Sequence, residues 1–171
     1  TAVAAGMTID DLAELDLAYA PPFGSANDPV NMAGFAAQNR RSGYGPALTA
    51  AEVEAFLQDK QAALIDIRDY FAYRKSHVTG AVNLAPERVL PEIKDLPLDT
   101  PVLVYGDTGK SSHRVVRELL QAGYSEARNI SGGYPSLERF ARAVGFSVLQ
   151  VPVGTPEEKT SDRETPEEDT G

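Results

Sequence analysis

Between residues 47 and 151, short apolar runs alternate with stretches of helical periodicity, and this alternation leaves few folds open. Ala63-Leu-Ile-Asp-Ile67 is a compact apolar run, the pattern of a strand buried on both faces. Ala81–Leu84, Pro101–Tyr105 and Ala127–Ile130 read the same way, and a further short strand is expected between Phe146 and Val151. Helices are expected between them. Thr49 with Glu52 forms a capping box opening a helix through Phe56 and Leu57. Tyr70–Lys75 supplies one or two turns, and Pro86–Leu96 a helix that Pro91 disturbs. Ser112–Ala122 is amphipathic, with Val115, Val116, Leu119 and Leu120 on the inner face and Gly123 as its stop. Ser136–Val144 is the last helix. Strand–helix alternation predicts an α/β domain of three layers, with a central parallel sheet covered on both faces.

Two segments flank this body. In the first 45 residues, Thr8 and Asp11 are placed as a helix cap and its partner acid, and Ile9, Leu12 and Leu15 share a helical face. Pro21-Pro22 is expected to stop that helix, and Asp28-Pro29 to start a second one ending in Arg40 and Arg41. Ser42–Pro46 reads as a linker. Two short helices cannot enclose a core alone, so this unit needs the body or a partner to pack on. At the other end, residues 154–171 carry seven acids and two bases and no aliphatic or aromatic side chain. Such a segment cannot offset its ordering entropy by burial, and a disordered acidic tail is expected. The expected organisation is a helical appendage at 1–45, an α/β domain at 46–151 and a tail at 152–171.

Charge and cysteine content remove several functions. The formal net charge is −9, which argues against nucleic acid and anionic membranes as partners. No apolar run approaches a membrane span, and no basic n-region precedes an apolar stretch, so a cytoplasmic protein is expected. The chain opens on Thr1 rather than Met, as a piece of a longer product would. It has no cysteine, which excludes disulfides, cysteine-ligated metals and a thiolate nucleophile. His77 and His113 have no ligand spacing to each other, and no metal site is expected.

Parallel α/β sheets bind ligands at the carboxyl ends of their strands. The informative end here is Val102–Tyr105, followed by Gly106-Asp107-Thr108-Gly109-Lys110-Ser111-Ser112 and a helix. Two glycines allow tight curvature. The helix start, Lys110 and the hydroxyls of Ser111 and Ser112 suit an anion, although the glycines could serve only the turn and Ser112 only the cap. Gly109-Lys110-Ser111 matches the end of a P-loop. The first glycine of that motif would fall on Val104, inside the strand, so nucleoside triphosphate binding is not expected.

At this point the chain resembles a family. Ile65-Asp66-Ile67-Arg68, Ser76-His77-Val78-Thr79-Gly80-Ala81-Val82-Asn83-Leu84, Val102–Tyr105, Ala122-Gly123-Tyr124 and Asn129-Ile130-Ser131-Gly132-Gly133-Tyr134 follow one another as the motifs of a rhodanese domain do. The resemblance implies a sulfurtransferase fold, in which a loop cysteine carries a sulfane sulfur as a persulfide. It also implies that Asp66 and Arg68 lie beside the loop as an ion pair, and that His77 is structural. The departure falls on the chemistry: Gly106 stands where the family has its cysteine, and Ser111 where it usually has an arginine. No catalytic residue of the family mechanism is left, and no sulfurtransferase activity is expected.

Residues 7–41, with Leu15–Phe35 as the carrying stretch, resemble a second family. They look like the C-terminal end of the dimerisation domain of pyridine nucleotide-disulfide oxidoreductases of the coenzyme A-disulfide reductase type. Some members of that group are fused at this point to a rhodanese domain. The resemblance implies a homodimer or flavoprotein partner through residues 7–41, with Tyr19 reaching a substrate disulfide across the interface. The FAD and nicotinamide folds are absent, so this chain is expected to hold no cofactor itself; FAD and NAD(P)H would come only with an upstream flavoprotein part. Three readings stay open: a non-catalytic rhodanese-like docking module, a fragment of an active disulfide or persulfide reductase contributing Tyr19, and an anion- or phosphate-binding protein using residues 106–112.

Overall fold

The computed structural model describes residues 2–17, 28–59, 61–145 and 149–150. Five strands form the central sheet: β1 (Ala47–Leu48), β2 (Ala63–Asp66), β4 (Val82–Asn83), β5 (Val102–Tyr105) and β6 (Ala127–Ile130). Their order is β1-β6-β5-β2-β4, and every pairing is parallel. A separate antiparallel pair joins β3 (His77–Val78) to β7 (Leu149–Gln150). The α/β expectation therefore holds, with β5 in the middle of the sheet.

The side-chain period of two in β5 sorts the core into two layers. Leu103 and Tyr105 point to one face, where they meet Val53 of α3 (Ala50–Asp59) and Tyr134, Leu137 and Ala141 of α7 (Gly133–Val144). Val102 and Val104 point to the other, against Val89 and Ile93 of α5 (Val89–Ile93) and Val115, Val116 and Leu119 of α6 (Gly109–Gln121). All four strand residues are fully buried. Each such side chain contributes about 1.5–3 kcal/mol by leaving water, which pins the strand and the loop that follows it.

The appendage consists of α1 (Ile9–Ala13) and α2 (Pro29–Arg41). Its caps form as the sequence indicates: Thr8 and Asp11 make the capping box, and Asp28 accepts from Val30 N–H at 2.9 Å. The first helix ends at Ala13, well before Pro21-Pro22, and Leu15 lies outside it. The Asn31 side-chain amide causes this early end by donating to the carbonyls of Leu12, Ala13 and Leu15 at 3.3, 3.3 and 2.9 Å. The helices cross at Gly34, where a β-carbon would stand 2.5 Å from Ala13 N. Arg41 grips Asp10 in a fork at 2.8 and 2.9 Å, and Arg40 bonds Glu52 of α3 at 2.8 Å. Tyr44 lies under the Arg117 guanidinium, 3.6 Å from ring centre to carbon, and its carbonyl accepts from Arg117. The appendage thus packs on the body.

Several boundaries differ from the sequence expectation. The helix expected from Ser112 starts at Gly109, because Thr108 rather than Ser112 is its cap. The helix expected from Ser136 starts at Gly133. The helix over Pro86–Leu96 is a 3-10 turn at Pro86–Arg88 followed by α5, broken up as Pro91 suggests. The remaining helix, α4, spans Tyr70–Lys75 as read, with Asp69 as its cap. β1 and β3 have two residues each and no sequence signal of their own. The segment 152–171 lies outside the described residues, as does Tyr19.

Candidate functional site

β5 delivers Gly106 to the carboxyl edge of the sheet, where it is buried. Only Asp107 and Thr108 separate it from the first turn of α6. The 106–112 segment is therefore a two-residue bend plus a helix start, tighter than a seven-residue loop. Asp107, Thr108, Lys110 and Ser111 are exposed. Ser112 is fully buried, and its hydroxyl turns back to the carbonyls of Thr108 and Gly109 at 3.4 Å each. Six of the seven residues named in the sequence can thus face a ligand or line the bend, and Ser112 faces the helix interior.

The bend rests on the turn before α7. The Gly106 carbonyl accepts from Tyr134 N–H at 2.9 Å. A β-carbon on Gly133 would stand 2.5 Å from that carbonyl oxygen and 3.0 Å from the carbonyl carbons of Asp107 and Thr108. Gly133 also sits at φ +65°, the left-handed region. Glycine is required there on both counts, so the two chain segments touch backbone to backbone.

At Gly106 itself, a β-carbon would lie 2.7 Å from Ser111 Oγ and 3.2 Å from Ile67 Cγ1. The space a side chain would enter is held by the Ser111 hydroxyl. Among the described residues, neither histidine stands beside that hydroxyl. His113 is packed on Gly45, whose β-carbon would meet its ring at 2.5 Å, and beside Tyr44. His77 stacks on Tyr73 at 4.0 Å between ring centres, with Nδ1 2.9 Å from the Tyr73 carbonyl. Neither imidazole is hydrogen-bonded to Ser111 among the described residues, and the chain has no cysteine.

Beside the bend, at the carboxyl end of β2, Asp66 and Arg68, two residues past the strand, form a buried ion pair with relative exposures of 0% and 7%. Arg68 Nη2 donates to Asp66 Oδ2 at 2.6 Å and Nε to Oδ1 at 3.0 Å, and the Arg68 backbone N–H adds a bond to Oδ1 at 2.9 Å. Nη2 also donates to the Ser76 carbonyl at 2.6 Å. The guanidinium lies 3.6 Å above the Tyr134 ring centre. Burial works against the Arg68 charge, but the bonds and charge of Asp66 outweigh it and hold the guanidinium above its usual pKa. Burial raises the Tyr134 phenol, although its hydroxyl donates to Ser76 Oγ at 2.5 Å and that bond pulls the other way. Tyr105 is pushed far above the ordinary phenol by burial and then by the charge of Asp66, while its oxygen accepts from Val78 N–H at 3.0 Å. Asn83 adds two bonds, to the carbonyls of Asp66 and Arg68. Sequence reading named Asp66 and Arg68 but gave no role to Tyr134, Tyr105, Ser76 or Asn83. Tyr134 follows the Gly-Gly pair, and that pairing was its only visible signal.

Residues 49–139 match the family model of the rhodanese-like domain. The chain belongs to that family. Its membership fits the parallel sheet, and the chain contains no cysteine. Among solved structures, this rhodanese-like chain is similar to reduced Bacillus anthracis CoADR-RHD, at 28% identity and a TM-score of 0.72, over 83% of this chain and 25% of that one. It is similar to an NAD-dependent persulfide reductase from A. fulgidus, at 30% identity and a TM-score of 0.61, over 77% of this chain and 23% of that one. A rhodanese-like domain from Anabaena sp. shares the fold, at 19% identity and a TM-score of 0.54, over 74% of this chain and 91% of that one. The chain thus spans about a quarter of the length of the first two. The coverage of those two exceeds what residues 47–171 alone supply, so both similarities run into the appendage. Among the described residues, no helix is long and apolar enough to cross a membrane, and no group of three His, Asp or Glu side chains is placed to hold a metal ion.

Proposed function

We propose that this chain is a rhodanese-like module without sulfurtransferase activity, serving as the docking domain of a flavoenzyme of the coenzyme A-disulfide reductase type. The observation that carries the reading is Gly106 at the carboxyl end of β5, in a chain with no cysteine. A persulfide needs a thiolate, and nothing at this bend replaces it. The buried Asp66–Arg68–Tyr134 network then keeps the domain folded and its surface ordered, which a docking module requires. The appendage supplies the surface: Val30, Met32 and Phe35 of α2 are exposed apolar residues.

A second reading is favoured by the reach of the two larger similarities into the appendage. The chain would then be the C-terminal part of an active FAD- and NAD(P)H-dependent reductase, with residues 7–41 at a dimer interface and Tyr19 directed at the substrate disulfide. Both cofactors would be held by the upstream part.

Purification of the native gene product, followed by intact mass and flavin absorbance, tests the attachment shared by both readings. A mass several times 18.3 kDa with bound flavin is expected. A flavin-free product near 18.3 kDa would overturn it. Thiosulfate-to-cyanide transfer above blank would overturn the claim that the domain is inactive. Within an intact reductase, Tyr19→Phe separates the two readings: loss of disulfide reduction favours the second, and full activity the first.

A further inference from the structure

Four exposed side chains of α4, Tyr70, Phe71, Arg74 and Lys75, form one contiguous patch. Phe71 is 84% exposed and Tyr70 57%. Their rings meet edge to face at 6.3 Å between centres. The Arg74 guanidinium stands 5.8 Å from the centre of the Tyr70 ring and donates to its hydroxyl at 3.4 Å. Lys75 lies one helical turn after Phe71, on the same face. Neither cation has a carboxylate partner among the described residues. The acid next to the patch, Asp69, is turned to the N–H groups of Phe71 and Ala72. In a chain of net charge −9, two uncompensated cations beside two exposed rings fit an occupant that is acidic and partly apolar.

The chain itself carries such an occupant to this place. β7 runs antiparallel to β3 with Gln150 opposite His77, two residues past Lys75. The chain therefore leaves β7 heading for the carboxyl end of α4. The residues that follow are Val151, Pro152, Val153 and Pro156, then Glu157, Glu158, Asp162 and Glu164, with Lys159 and Arg163 among them. Glu157 comes seven residues after Gln150, a reach of up to about 23 Å. The six residues of α4 span about 9 Å. A tether this short gives an effective concentration on the order of mM, so that individually weak surface ion pairs suffice.

We infer that residues 151–164 dock on the α4 patch of their own chain, with the carboxylates of Glu157 and Glu158 on Arg74 and Lys75 and the proline rings against Tyr70 and Phe71. α4 opens three residues after Ile67, whose side chain comes to 3.2 Å from where a Gly106 β-carbon would stand. The docked segment covers that flank of the bend, and a partner approaching from there has to displace it. The patch is separate from the apolar residues of α2, and the inference stands whether or not the chain is part of a flavoenzyme.

The absence of cysteine makes the test specific, because one introduced thiol can be labelled alone. A nitroxide on Thr165→Cys of the full chain should broaden the backbone amide resonances of Phe71, Arg74 and Lys75 and leave those of Gly34 and Gly123 sharp. Arg74→Gln with Lys75→Gln, both at exposed positions, should reduce the effect about threefold or more. Glu157→Gln, Glu158→Gln, Asp162→Asn and Glu164→Gln together should do the same without touching the folded body. About 1 M salt, which screens charges beyond roughly 3 Å, should remove it. Broadening spread evenly over the domain, broadening centred away from α4, or broadening unchanged in both variants would each overturn the inference. So would broadening of an isotope-labelled chain by a separate nitroxide-bearing copy at equal strength, which would make the occupant a second molecule.

Discussion

A β-carbon on Gly106 would stand 2.7 Å from the Ser111 hydroxyl oxygen, well inside contact distance. The nearer obstacle is the end of a short side chain that can rotate, and the backbone at Gly106 is not in the left-handed region. Gly106→Cys should therefore fold, at a cost of about 1–3 kcal/mol from crowding. Adding Ser111→Ala should return most of that loss, whereas Ser111→Ala alone should be close to neutral. Urea unfolding of the four proteins measures the coupling. Strict additivity would mean that Ser111 does not hold the space.

The same position tests the loss of chemistry. The present chain should show no thiosulfate-to-cyanide turnover. Gly106→Cys with Ser111→Arg puts in the two residue types that the resemblance to rhodanese domains implies at these positions, and some thiosulfate cleavage should appear. A folded double variant with none would show that the surrounding pocket no longer supports a persulfide.

Gly133→Ala should be far more damaging than Gly106→Cys. Here the obstacle is backbone, the Gly106 carbonyl oxygen at 2.5 Å, and φ is +65°. Left-handed strain adds roughly 1–2 kcal/mol and overpacking roughly 1–3 kcal/mol. The expected loss by chemical denaturation is about 2–5 kcal/mol. A loss under about 1 kcal/mol would contradict the backbone-to-backbone contact.

Arg68→Met should cost about 3–5 kcal/mol, because it strands the fully buried Asp66 carboxylate. Asp66→Leu with Arg68→Met should cost less than Arg68→Met alone, since no buried charge remains. Arg68→Lys should not rescue. A point charge cannot reproduce the fork onto Asp66 and the stacking over Tyr134. Equal stability of Arg68→Lys and the parent would refute that geometry.

Acid should weaken the appendage. The Arg41 and Gln38 hydrogen bonds hold the Asp10 carboxyl below its ordinary pKa, and the Thr8 backbone and hydroxyl do the same for Asp11. The Thr49 N–H and hydroxyl hold Glu52 low. A carboxyl whose folded pKa is depressed contributes stability above its unfolded pKa and loses it as pH falls through the folded one. The melting temperature should be level near neutrality and fall below about pH 4. The combined Asp10→Asn, Asp11→Asn and Glu52→Gln variant should have a shallower acid limb. An unchanged limb would assign acid sensitivity to other groups.

Local order was legible in the sequence wherever a few consecutive residues decide it. The apolar runs over β2, β5 and β6, the caps Thr8 and Asp28, and the stop at Gly123 all act over one turn or one strand, so their chemistry is written in neighbouring residues. The parallel α/β class and the Asp66–Arg68 pair were readable on the same terms, the pair through family motifs, and the absence of cysteine is plain in the sequence. Tertiary structure decided what depends on residues far apart in the chain. β1 and β3 exist because partner strands offer them hydrogen bonds, and two residues have no periodicity to show. Asn31 ends α1 from 16 to 19 residues away. Gly133 must be glycine because the Gly106 carbonyl arrives against it, and Arg68 is held by a ring 66 positions later. Contacts of this range are set by how the sheet stacks its layers, and no window of sequence contains them.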